Sequence, residues 1–235
     1  MGPRLALAGL AAAGATLALA SCSVQSGGGN PDVVAGKQLF VSKCGSCHTL
    51  ARAQTKGTVG PNLDEAFQRA LKDGMERSDF VGAVHGWILH PNQNSPMPAK
   101  LVEGQDAYDV ANYVAQSVAK PGEDTGVLAE AVKKPGTGKP AVESNGTLQI
   151  DADPTGQLSY VTNKATASPG QITIKMQNKS GTPHDIVIDG KGRSQQVDNG
   201  GTGSFTATFA AGSFTFYCSV DGHKAAGMQG TLTVK

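Results

Sequence analysis

Two rhythms of apolar and polar residues run along this chain, and one gives way to the other near residue 147. From Pro31 to about Ala119, apolar side chains recur at three- and four-residue intervals in short segments broken by Gly and Pro, which predicts helices. The clearest cover residues 32–43 and 105–118. In the first, Val33, Gly36, Lys37 and Phe40 fall near one face, and in the second Tyr108, Ala111, Val114, Ala115 and Val118 form a stripe. Two amphipathic helices flanking a loop-rich middle predict a small all-α domain. Its apolar content is modest, so something other than side chains must fill its centre. After Thr147 the period becomes two: Ile172, Ile174 and Met176 alternate with polar residues, as do His184, Ile186 and Ile188, then Phe205, Ala207 and Phe209, then Phe214, Phe216 and Cys218, then Leu232 and Val234. Short strands separated by Gly, Asn and Asp turns predict an antiparallel sandwich or barrel.

Between these halves, residues 120–146 are rich in Pro and Gly without periodicity, apart from a possible helical turn at 127–132. Taken as a flexible linker, they would span roughly 30 Å. The other special segment is the start. Arg4 supplies a positive beginning, 5–20 is an apolar run too short to cross a bilayer comfortably, and small residues lead to Cys22. Leu19-Ala20-Ser21-Cys22 resembles the lipobox of bacterial lipoproteins. That resemblance implies a signal peptide over 1–21 and lipid on Cys22, and residues 22–30 follow as a Gly/Ser tether. The expected division is therefore 1–21, 22–30, 31–119, 120–146 and 147–235.

Charge adds little to this picture. Twenty Lys+Arg against 19 Asp+Glu leave a net charge of +1, with no basic stripe to bind nucleic acid and no acidic tail. The four cysteines change it a great deal. In an exported chain they would ordinarily form disulfides, yet each has another use: Cys22 for lipid, Cys44 and Cys47 in one motif, Cys218 in a metal-ligand cluster.

Cys44-Gly45-Ser46-Cys47-His48 sets two thiols and an imidazole as c-type haem attachment requires, with the thiols adding to the vinyl groups and His48 lying under the iron. A zinc ribbon would need a second Cys pair, and a thioredoxin-like dithiol a preceding strand and βαβ unit. For the iron's other face, Met97 within Ser95-Pro96-Met97-Pro98 is the candidate, a soft thioether on a Pro-stiffened loop. Met75, His85 and His90 compete with it. Trp87, Tyr108 and Tyr113 are candidates to pack on the haem edge. From Gly36 and Phe40 through Gly60-Pro61-Asn62-Leu63 to Met97 and the closing helix, residues 31–119 resemble class I cytochromes c. His/Met ligation of that kind closes both axial positions, so the iron transfers electrons rather than binding oxygen or peroxide.

The second constellation is His184 followed by Cys218-x4-His223-x4-Met228. One thiolate, two imidazoles and a weak thioether are the donor set of a blue-copper site. His184 shares its strand face with Ile186 and Ile188, and Cys218 shares its own with Phe214 and Phe216, so both point inward. Residues 147–235 resemble the cupredoxins, including plastocyanin-like and auracyanin-like proteins, most clearly from Asn178 to His184 and over the last 22 positions. The resemblance implies an all-β Greek-key sandwich and a role for Asn178 in tying the two ligand loops together by hydrogen bonds.

The expectation is thus a multidomain chain, an all-α cytochrome c followed by an all-β cupredoxin, carrying haem c and one copper. It would act as an extracytoplasmic (periplasmic or cell-surface), membrane-anchored electron carrier between respiratory or photosynthetic redox proteins, with no small-molecule substrate, no nucleic acid and no enzymatic activity. The alternatives are a haem/copper redox enzyme such as a peroxidase or nitrogen-oxide reductase, which would need an open haem position, and a copper-handling lipoprotein.

Overall fold

A computed structural model describes residues 29–235 of the chain. The expected signal peptide, the expected lipidation at Cys22 and most of the expected tether lie outside the described residues.

The first half is helical. Helix α1 (Val33–Leu39) begins at Asp32, whose carboxylate accepts from the amides of Val34 and Ala35, satisfying donors that a helix start otherwise leaves open. It runs into a π-helical turn over Phe40–Cys44. A two-stranded hairpin, β1 (Thr49–Leu50) with β2 (Thr55–Lys56), follows the cysteine motif. Then come the short helices α2 (Leu63–Ala66) and α3 (Gln68–Lys72), and the longer α4 (Arg77–Leu89) and α5 (Gly104–Ser117). Helix α5 is buried nearly all round because α1 and α4 both pack on it. The crossing with α1 is close: a Cβ at Gly36 would sit 2.2 Å from the Asp109 carbonyl oxygen, so only glycine fits.

The middle of this half is not merely loop. Helix α4 has 13 residues and buries Phe80, Val84 and Ile88 at every fourth position. Gly82 and Gly86 and the exposed Trp87 dilute that stripe in the sequence. On α5 the most deeply buried aromatic is Tyr113, while Tyr108 is only half-buried.

The segment 120–146 is folded onto its neighbours rather than extended. Asp124 is buried and takes Lys37 Nζ at 3.0 Å, Arg52 Nη1 at 3.3 Å and the Tyr113 hydroxyl at 2.9 Å. In helix α6 (Val127–Glu130) the Leu128 carbonyl accepts from Lys37 Nζ at 2.7 Å, and just beyond it the Ala131 carbonyl accepts from Gln38. Further on, Thr137 bridges to Thr162, and strand β3 (Ala141–Val142) joins a sheet. A buried carboxylate with two cationic partners fixes this segment, and composition alone does not reveal such a partner.

The second half is a pair of sheets. One contains β3, β5 (Lys164–Ala167), β11 (Gln229–Val234), β10 (Gly212–Tyr217), β7 (Val187–Ile188) and β8 (Gly192–Arg193), in that order. The other contains β4 (Thr147–Gln149), β6 (Gly170–Gln177) and β9 (Thr202–Phe209). The expected alternation is met: Ile172, Ile174, Met176, Phe209, Phe216, Leu232 and Val234 all face one core. The expected all-antiparallel pairing is not. Strand β5 lies parallel to both β3 and β11, and β4 parallel to β6. Only Ser168 and Pro169 separate β5 from β6, yet the two belong to different sheets; a strand that crosses between sheets is not obliged to pair as a hairpin. The helical half has a core of its own, built around Phe40, Phe80 and α5. Among the described residues no helix is long and apolar enough to cross a membrane.

Candidate metal centres

The first centre is a cavity of about 350 Å³ in the helical half, lined mostly by apolar side chains. The π turn delivers Cys44 to it, and the chain beyond delivers Cys47 and His48. His48 Nδ1 donates to the Pro61 carbonyl at 2.9 Å, which fixes the tautomer and leaves Nε2 free as a ligand. The ring packs so tightly on Gly60 that a Cβ there would lie 2.5 Å from Cε1. Met97 lines the same cavity from the loop after α4, with its amide bonded to Ser95 Oγ. Met75, His85 and His90 do not line it; Met75 is exposed and His85 packs edge-on to Tyr108. Trp87 does line it, whereas Tyr113 turns away to Asp124. Burial, with a smaller push from Cys47, raises the Cys44 thiol to about 12.

The second centre is at one end of the sheets. His184 precedes β7, Cys218 follows β10, and His223 opens the single turn α7 (His223–Ala226), with Met228 just beyond. His184 Nδ1 and His223 Nδ1 are 3.2 Å apart, and Cys218 Sγ lies 3.8 and 3.5 Å from them. Three donors around one first-row metal, with bonds of roughly 2.0–2.3 Å, stand about 3.5–3.7 Å from one another in a trigonal plane. The observed triangle fits. His184, Cys218 and Met228 are wholly buried. Burial lowers the His184 imidazole to about 4, lowers that of His223 as well, and raises the Cys218 thiol to about 12. At neutral pH both rings are therefore neutral donors. His184 Nε2 stands 3.1 Å from Thr182 Oγ1; donation to that hydroxyl leaves Nδ1 bare for the metal.

Asn178 is wholly buried, but its bonds go elsewhere than expected. Its amide donates to the carbonyls of Thr182 and Val197 at 2.7 and 2.8 Å and accepts from Ser180. It braces the His184 approach and makes no bond to the Cys218 loop. That link belongs to Asp185, whose carboxylate accepts from the Ser219 amide at 2.7 Å, the Ser219 hydroxyl, and Arg193 at 3.0 Å. Burial works to raise this carboxyl, and the bonds from Ser219 and Arg193 more than offset it, holding it below the usual range. The sequence reading missed Asp185 because strand alternation puts it opposite His184, on the face expected to meet solvent.

Residues 33–117 match the model of the cytochrome c family, and residues 147–235 match that of the copper binding proteins of the plastocyanin/azurin family. The chain joins a cytochrome c to a cupredoxin. It is thus an electron-transfer protein of two redox centres, haem c and blue copper, the latter with the ligand set His184, Cys218, His223 and Met228. Among curated relatives of this fusion is plastocyanin from Nostoc punctiforme, 35% identical over 96 residues, which are 34% of this chain and 67% of that protein. Rusticyanin from Acidithiobacillus ferrooxidans is 31% identical over 140 residues, 54% of this chain and 72% of its own length. Among solved structures, the reduced auracyanin of Roseiflexus castenholzii matches 40% of this chain and 99% of its own at 23% identity, with a TM-score of 0.36.

Proposed function

We propose that the protein is an extracytoplasmic, non-enzymatic carrier of single electrons, held at a membrane by lipid on Cys22 and passing electrons between redox complexes. The functional division follows 31–119 and 147–235, with 120–146 between them. Cys44 and Cys47 attach the haem, and His48 and Met97 ligate its iron. His184, Cys218, His223 and Met228 hold the copper, and Asn178 braces the His184 loop. When bound, the two groups supply reversible Fe(III)/Fe(II) and Cu(II)/Cu(I) couples.

The chain's own residues set the conditions for that chemistry. Pro61 and Gly60 orient His48, Ser95 steadies the Met97 loop, and the mostly apolar walls of the cavity would shield a haem held there from water. At the copper site the donors stand in place beforehand, so both oxidation states share nearly one geometry and little needs to move with the electron. The Cys218 proton leaves to solvent when metal binds.

The observation that carries the reading is that Met97 and His48 line one cavity, from which each could offer a donor to the iron of a haem held there and leave no position for a substrate. Anaerobic redox titration followed by visible spectroscopy tests it. Two separate one-electron transitions are expected, one in the haem bands and one in an intense red-end absorption, and Met97→Ala should alter the haem spectrum and lower its potential. An unchanged spectrum in Met97→Ala would remove Met97 from the iron and favour an enzyme with an open haem position.

A further inference from the structure

The loops that carry the two centres touch. On the cytochrome side, Gly57 is wedged against the cysteine motif: a Cβ on it would lie 2.4 Å from the Ser46 carbonyl oxygen and 2.5 Å from the Cys47 carbonyl carbon. Thr49 Oγ1 bonds the Gly57 carbonyl, and the Gly60 amide bonds the Cys47 carbonyl. The segment 57–60 is therefore fastened to Cys47 at one end and packed on the His48 ring at the other. On the cupredoxin side, Gly222 immediately precedes His223 and caps its helical turn at φ 80°. A Cβ on Gly222 would stand 3.1 Å from Thr58 Oγ1. Nearby, Ala226 and Gly227 line one cleft together with Thr49 and Lys56 of the β1–β2 hairpin. Two further contacts accompany this one, at Ser42 in the π turn that ends at Cys44 and at Lys133 in the joining segment. A Cβ on Gly156 would lie 2.6 Å from the Ser42 carbonyl oxygen, and Gln157 Nε2 donates to the Lys133 carbonyl at 3.0 Å.

We infer that this contact is an intramolecular electron-transfer junction, running from Cys47 and His48 through Gly57-Thr58 and across to Gly222-His223. The inference rests on the proposed ligand assignment, since it makes a haem-attachment residue and a copper ligand the two ends of one packed path. One electron leaves Fe(II) and reduces Cu(II) to Cu(I), leaving Fe(III), or the reverse; no bond forms or breaks and no proton moves. Glycine at 222 serves the junction directly, because a Cβ there would press on Thr58 Oγ1, while glycine at 57 lets the other loop pack against Ser46 and Cys47.

The test uses the full chain carrying both groups. A photoexcited reductant delivers one electron to the haem, and haem and blue absorption are followed together. Redistribution should be first order, with a rate independent of protein concentration. Thr58→Arg and Thr58→Trp should each slow it severalfold while leaving both visible spectra intact, since Thr58 is exposed and no cavity or metal donor includes it. A readout without electron flow is NMR with ferrous haem: Cu(II), but not Cu(I), should broaden the amide signals of Gly57 and Thr58. Exchange that scales with protein concentration, rates unchanged in both variants, or sharp Thr58 signals beside Cu(II) would overturn the junction. Absence of either visible band from the loaded chain would overturn the ligand assignment itself, and with it the junction.

Discussion

At the scale of single residues, the copper site divides into what spacing reveals and what only folding reveals. Cys218, His223 and Met228 lie within eleven residues, and their chemistry is legible because few other uses explain that donor set. Asp185 is not legible, since an acid beside a ligand in an alternating segment reads as solvent-facing. It is nevertheless wholly buried, with its charge next to the Cys218 loop. A buried carboxylate favours the more positive oxidation state of a nearby metal, and Arg193 offsets part of that field. Asp185→Asn keeps an acceptor for Ser219 and removes the charge. The expected result is a copper potential raised by on the order of 50 mV, the equivalent of roughly 1 kcal/mol for one electron at an effective dielectric near 20. Spectroelectrochemistry of the blue band measures it, and an unchanged or lowered potential would mean that Arg193 already cancels the charge. The haem motif shows the same split. Cys44, Cys47 and His48 are read from spacing, while Pro61, part of the motif that carries the resemblance, acts on the His48 tautomer through its backbone carbonyl, a role that residue type does not announce.

Elements were legible where one face is buried and the other wet. The alternation in β6, β10 and β11 and the stripe in α5 fit this condition, and they appear where expected. Helix α4 escaped because its buried positions are one in four and two glycines interrupt it. The parallel pairings escaped because alternation gives a strand its two faces but not its direction. The α1–α5 crossing makes the clearest prediction at this scale. Gly36→Ala puts a methyl group 2.2 Å from the Asp109 carbonyl oxygen, a clash with backbone that no rotamer relieves. Although alanine favours helix by about 1 kcal/mol over glycine, forced separation of the helices should prevail, with a net loss of about 2 kcal/mol or more. Thermal unfolding followed at the haem band would report it, and a rise in Tm would show that the helices separate freely.

At the scale of the whole molecule, the two cores were foreseeable from the change of period, but their joining segment was not. Pro and Gly in 120–146 suggest freedom, whereas Asp124 supplies the opposite. It enters the helical half and lies between Lys37 on α1, Arg52 beyond β1 and Tyr113 on α5. Burial, together with the Asp124 charge, holds the Tyr113 hydroxyl protonated well past its ordinary range, so it serves as a steady donor. Lys37 is almost fully buried, and among the described residues its ammonium meets only Asp124 and the Leu128 carbonyl. Asp124→Ala would leave that ammonium without its counter-charge in the interior, and removing one member of a buried pair costs about 3–5 kcal/mol. The loss should fall on one half only, because none of these partners belongs to the sheet core. Unfolding monitored separately at the haem and blue bands should therefore show the haem transition shifted to lower denaturant while the copper transition stays within about 0.5 kcal/mol of its original position. If both transitions moved together, the segment would be coupling the halves into one cooperative unit, and the buried pair would be stabilising their docking as well as the cytochrome.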